Sequence, residues 1–224
     1  MTPSWDELKP RREPIFNMPA IVSLTAIILL LSYVFYSLLP EQLQIRVLLD
    51  FSFIPARFTG LPPEYAVLTS DTPAWGVLTM VTHTLLHGGL VHLGFNIAWL
   101  IVFGTIVARV TGAMGYLVIF ALGAMAGAGL FWLVHPGDVV PVVGASGAIS
   151  ALMGAAARFF FGPGLAPLTD TRLLVFTGAW LMINLVFGLS GFDVGDQAGQ
   201  IAWEAHMGGY FAGLLFVPLF TRRS

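Results

Sequence analysis

The chain has 224 residues, of which 57 % are hydrophobic and only 10 % charged, with a formal net charge of −2. Its mean hydropathy is +0.84 and its pI is near 6.2. Soluble domains carry about 25 % charged residues, so a water-soluble globule, a disordered chain and a basic nucleic-acid binder are excluded, and with no cysteine so are disulfides, thiolate catalysis and Cys-ligated metals.

An integral membrane protein remains, and a spanning helix needs about 20 mostly apolar residues. Residues 1–19 are polar, hold Lys9, Arg11 and Arg12, and read as a cytoplasmic N-terminal segment. The first charge-free run, Pro14 to Pro40, is 27 residues long and ends without a small-x-small cleavage site. It predicts a retained span near 20–39 and not a removed signal peptide. A long outer connection follows, about residues 40–86, with Pro40, Pro55, Pro62, Pro63 and Pro73. Structureless loops of that length are rare in compact proteins, so short interfacial helices are expected there, with Trp75 as an anchor.

The next charge-free runs are Thr72 to Ala108 and Val110 to Gly137, of 37 and 28 residues. They predict spans at 87–108 and 113–134. Val139 to Ala157 and Leu173 to Phe192, of 19 and 20 residues, predict spans at 142–161 and 173–190. The connection 190–200 is rich in Gly and Ala and reads as mobile. A last run, Ala205 to Thr221, extends back past Glu204 and predicts a span at 201–220, before a cytoplasmic tail at 222–224. The runs are continuous and not alternating, which argues against a strand barrel. The expected fold is an all-α membrane protein, a six-transmembrane-helix bundle forming one domain over residues 20–221.

Lys and Arg set the orientation. With the N-terminus inside, Lys9, Arg11, Arg12, Arg109, Arg158, Arg172, Arg222 and Arg223 lie inside, and only Arg46 and Arg57 outside. Both termini are therefore expected to be cytoplasmic. The short polar ends suit a bacterial cytoplasmic membrane, with an organelle as the alternative.

Polar groups inside apolar helices are costly and mark function by default. The second span carries His87, His92 and Asn96 in HGGLVHLGFN. His92 and Asn96 are spaced i,i+4 and share a face. The fourth opens with GASGAIS, which puts Ser146 at a helix start among unpaired N–H groups that can receive an oxyanion. The sixth carries His206 in WEAHMGGYFAG, with Gly209 and Gly213 forming a GxxxG that admits a close neighbour. Singly, each feature also fits ordinary helix packing. Together they converge, because the second, fourth and sixth spans all enter from outside and bring Ser146, His206, His92 and Asn96 to one depth. A serine needs a base to become a nucleophile, and His206 is the best-placed one. No carboxylate lies in the apolar part of a span nearby, and Glu204, two residues from His206, points to a different helix face. A Ser–His dyad is therefore expected and not a triad.

These motifs resemble those of the rhomboid family of intramembrane serine proteases. Gly144 to Gly147 is similar to its GxSG, Ala205-His206 with Gly209 and Gly213 to its AHxxGxxxG, and His87, His92 and Asn96 to its HxxxxHxxxN. The resemblance implies a rhomboid-type bundle with Ser146 as nucleophile and His206 as general base. It implies that His92 and Asn96, with Gly144 and the Ser146 N–H, form the oxyanion site. His87, Gly147, Gly209 and Gly213 would be supporting residues. The substrates implied are transmembrane proteins within the lipid bilayer, with no cofactor, metal or nucleic acid. The chain departs from many members at Trp75-Gly76, where Trp-Arg is common in the first outer loop, and at Ser150, where an aromatic residue commonly stacks on the base. Three rivals stand beside this reading: a catalytically inactive client-binding relative, a channel or transporter with a histidine relay, and a histidine metal site. Entry through the fifth span and its outer loop is expected. His83, His135 and the oligomeric state have no reading.

Overall fold

Helix boundaries follow the breaks in the apolar pattern. The structure, a computed structural model, describes residues 18–63, 73–190 and 202–221. Residues 1–17 of the polar N-terminal segment, 64–72 of the first connection, the connection at 191–201 and the tail at 222–224 lie outside the described residues. Helix α1 is Ala20–Leu38, and Pro40, which cannot continue it, caps α2, Glu41–Phe51. A 3₁₀ turn, Pro55–Phe58, follows. Helix α3 is Pro73–Thr82 and runs into a second 3₁₀ turn, His83–Leu85. The first connection thus contains short helices, as expected. Trp75 uses its polar atom inside the protein: the indole N–H donates to the Asp50 carbonyl at 2.7 Å, and the ring meets Phe51 edge-on.

Helix α4, Leu90–Val134, has 45 residues. A straight helix of that length would run about 68 Å, more than twice a hydrocarbon core of about 30 Å. It bends at Gly112, whose φ of 75° and ψ of 177° are non-helical. Only glycine takes such a φ without strain. The two limbs coincide with the second and third expected spans.

Helix α5, Ser146–Ala157, has only 12 residues, shorter than the expected 142–161. Upstream, Val142 pairs with Phe53 as an antiparallel bridge, exchanging bonds of 2.8 and 3.1 Å, and the Gly144 N–H donates to the His83 carbonyl at 3.0 Å. These bonds hold 142–144 out of the helix and delay its start. Helix α6 is Thr171–Leu189, with the Asp170 carboxylate accepting from the Arg172 N–H at its start. Helix α7 is Trp203–Phe216, followed by a 3₁₀ turn, Val217–Leu219.

Among the described residues, α1, both limbs of α4, α5, α6 and α7 each overlap one of the six expected intervals, with the first limb of α4 running past 108 and α6 starting two residues before 173. Helices α1, α4 and α6 are long and apolar enough to cross a bilayer. Their outer faces carry exposed apolar side chains, among them Phe35, Val175 and Met182, which suits lipid and not water. Helix α5 is buried on nearly every side and forms the centre, between α4 and α7. Small residues make this possible. A Cβ on Gly123 would collide with Ala151, and one on Gly127 would lie 2.6 Å from the Ala205 carbonyl oxygen. In lipid, such close approach supplies the van der Waals contact that drives helix association.

The ends of the bundle differ. Arg158, at the end of α5, donates to the carbonyls of Leu214 and Ala166, and so closes the helix ends opposite Ser146. The polar residues singled out in the sequence gather at the other end.

Candidate active site

The register between α5 and α7 builds the site. Gly209 and Gly213 face α5, where a Cβ on either would overlap the carbonyl of Gly147 or Ala151. With the two backbones this close, His206, one turn before Gly209, reaches the first residue of α5. Its Nε2 lies 2.8 Å from Ser146 Oγ, within hydrogen-bond distance. Both residues are half-buried and line a cavity of about 1560 Å³.

The other ring nitrogen is held as well. His206 Nδ1 lies 2.8 Å from Asn184 Oδ1 on α6. The orientation of the Asn184 amide follows from its second contact, since Nδ2 donates to the Trp203 carbonyl at 3.0 Å. A carbonyl can only accept, so Nδ2 faces Trp203 and Oδ1 faces the imidazole. The oxygen in turn requires Nδ1 to carry the proton, and Nε2 is left bare toward Ser146. Gly188, one turn after Asn184, makes room for this, because a Cβ there would overlap the Trp203 indole.

The reading from sequence missed Asn184. The rule that marks Asn96, a polar side chain in an apolar run, marks Asn184 in LMINLVF equally. The structure also supplies a support for the ring, since Ser150, buried beside the cavity, has no aromatic face to stack on it. The expected two-residue arrangement is thus part of a three-residue chain, Ser146–His206–Asn184.

His87, His92, Asn96 and Gly144 line the same cavity. The rings of His87 and His92 meet edge-on, with centroids 5.2 Å apart. Gly144 has φ +116°, and a Cβ on it would sit 2.7 Å from His92 Cε1. Conformation and space both therefore demand glycine there. The Asn96 amide donates to the His92 carbonyl at 2.9 Å, which leaves its second N–H for another acceptor. Its Oδ1 is buried with no hydrogen-bond partner among the described residues.

Two histidines without a sequence reading now have partners. His83 Nδ1 bonds the Thr79 carbonyl at 2.9 Å, and its own carbonyl receives the Gly144 N–H. His135 Nε2 lies 2.9 Å from Glu204 Oε1, so Glu204 faces away from His206, as its position on the helix requires. No group of three or more His, Asp or Glu side chains gathers in metal-holding geometry among the described residues.

The family model of the rhomboid domain matches residues 74–223, more than half of the chain. The match begins in α3, so α1 and α2 precede it. Rhomboid protein 1, mitochondrial, of Saccharomyces cerevisiae is 29 % identical over 161 residues, which cover 68 % of this chain and 44 % of that protein. The chain spans less than half the length of this relative.

Proposed function

The chain belongs to the rhomboid family and is an integral membrane protein, and from that premise we propose that it is an intramembrane serine endopeptidase that cuts transmembrane segments of other membrane proteins. The observation that carries this reading is the 2.8 Å contact between Ser146 Oγ and His206 Nε2, at the N-terminus of a buried helix and open to a cavity.

In the proposed reaction, His206 Nε2 takes the Ser146 proton as Oγ attacks a peptide carbonyl. The new C–O bond pushes the carbonyl electrons onto oxygen. The Ser146 N–H and the side chains of His92 and Asn96 would receive that charge, which suits the free N–H groups at a helix start. The imidazolium then gives its proton to the leaving amine, and the C–N bond breaks. Water, activated by the same imidazole, hydrolyses the acyl-enzyme and restores Ser146. Glu204 takes no part, because its carboxylate bonds His135.

The proposal includes six crossings with both termini cytoplasmic, supported by the eight-to-two division of basic residues. The proposed domain comprises residues 20–221. The proposed bilayer is a bacterial cytoplasmic membrane; the word mitochondrial belongs to the yeast relative's name. Substrate entry past α6 is supported by the apolar exposure of that helix beside the cavity.

The test is activity-based labelling with a serine-directed fluorophosphonate in detergent. Labelling of the wild type that disappears in Ser146→Ala and His206→Ala supports the enzyme. No labelling, with client binding retained, would instead make the chain an inactive relative.

A further inference from the structure

The positioning of His206 goes a step beyond the serine–histidine reading and rests on it. We propose that Asn184 is a positioning residue for His206, accepting the Nδ1 proton so that Nε2 stays unprotonated and aimed at Ser146. Four observations carry this. The Nδ1–Oδ1 distance is 2.8 Å, matching the 2.8 Å on the other side of the ring. Asn184 is largely buried, at 9 % exposure at the edge of the cavity, which limits competition from water for its oxygen. Its amide cannot turn over without setting Oδ1 against the Trp203 carbonyl, which would oppose two acceptors. Gly188 admits the Trp203 indole, and so brings α6 close enough for the bond.

A neutral imidazole has two tautomers, and only one of them can act as a base toward Ser146. Free rotation of the ring about its bond to Cβ would also carry Nε2 away from Oγ. A single acceptor on Nδ1 resolves both problems. Ser150 lies one turn after the nucleophile and cannot stack on the ring as an aromatic side chain would. The histidine and acidic side chains that line the cavity with this pair are His83, His87, His92, His135, Asp138 and Glu204, and the last is bonded to His135. An amide therefore does the orienting with no added charge.

The experiment compares Asn184→Leu and Asn184→Asp with the wild type, in cleavage of a transmembrane reporter in proteoliposomes. Asn184→Leu is expected to lower kcat on the order of 100-fold, the cost of a misplaced catalytic group, with KM within about twofold. Asn184→Asp keeps an acceptor on Nδ1, and so is expected to recover more activity than the leucine variant. Its carboxylate favours the protonated ring, so the acid limb of its pH–rate profile moves to higher pH. Nitrogen-15 spectra of the histidines would report the tautomer directly: the Nδ1–H form in the wild type, and a mixture in Asn184→Leu. Wild-type kcat and an unmoved tautomer in Asn184→Leu would overturn the inference. Should that variant fail to fold, an unmoved pH profile in Asn184→Asp does the same. Ser146→Ala separates the two levels. If it is inactive while both Asn184 variants behave as wild type, only the positioning role fails; if it still cleaves, the serine–histidine reading fails first.

Discussion

Gly209 of α7 packs directly on the backbone carbonyl of Gly147 in α5, with no room between them for a single methyl group. This contact lies one turn from His206 and one residue from Ser146, and sets their separation. Gly213 repeats it one turn further on, against Ala151. The pair acts as a ruler, because any added carbon must slide or tilt α7 away from α5.

Gly209→Ala is expected to destabilise the bundle by about 1–3 kcal/mol, the cost of overpacking a tight interior. It is also expected to abolish fluorophosphonate labelling of Ser146, even where the protein remains folded. Thermal unfolding in detergent and labelling yield, read side by side, check this. Labelling at the wild-type level would mean that the glycine contact does not set the active geometry.

Asn96→Ala should lower kcat on the order of 100-fold with KM little changed, the pattern of a lost oxyanion donor. The amide already donates one hydrogen to the His92 carbonyl, so part of the loss could come from freeing that turn of helix. Asn96→Asp separates the loss of the amide donor from the loss of side-chain volume. It keeps the shape and removes the donor, so it should be as slow as the alanine variant in reporter cleavage.

The His135–Glu204 pair offers a contrast. His135→Ala leaves the buried Glu204 carboxylate without its partner and is expected to lower the thermal midpoint. It should leave kcat within about threefold of wild type, as a surface-linked change away from the reacting atoms does. A loss of turnover as large as that of His206→Ala would bring Glu204 into the chemistry.

Burial pushes the His83 imidazole down to about 4, from an ordinary 6.5. A folded value below the unfolded one means that the unfolded chain binds more protons in this window. The contribution of His83 to stability is therefore complete above about 6.5 and is lost as pH falls from there toward about 4. His83→Gln should flatten the fall of the thermal midpoint between those values. Identical midpoint–pH curves for the two proteins would show that His83 does not titrate on unfolding.

Hydropathy and charge by themselves determined much of this protein. The breaks at Arg109–Gly112, at Arg158 and at Pro40 mark helix ends because a charge or a helix-breaking residue is costly inside an apolar helix. Ser146, His206, His92 and Asn96 stood out for the same reason. These are local properties, legible from neighbours along the chain. The late start of α5 was not legible, since it depends on Val142 pairing with Phe53 and Gly144 with the His83 carbonyl, partners far apart in sequence. Nor was the role of Asn184, whose composition signal matches that of Asn96 but whose meaning depends on which helix its face meets. Only the packing of α7 against α5 and α6 decided that His206 has a serine on one side and an amide on the other. Contacts between helices depend on register, and register is set by how small side chains on two surfaces interlock, which no single stretch of sequence contains.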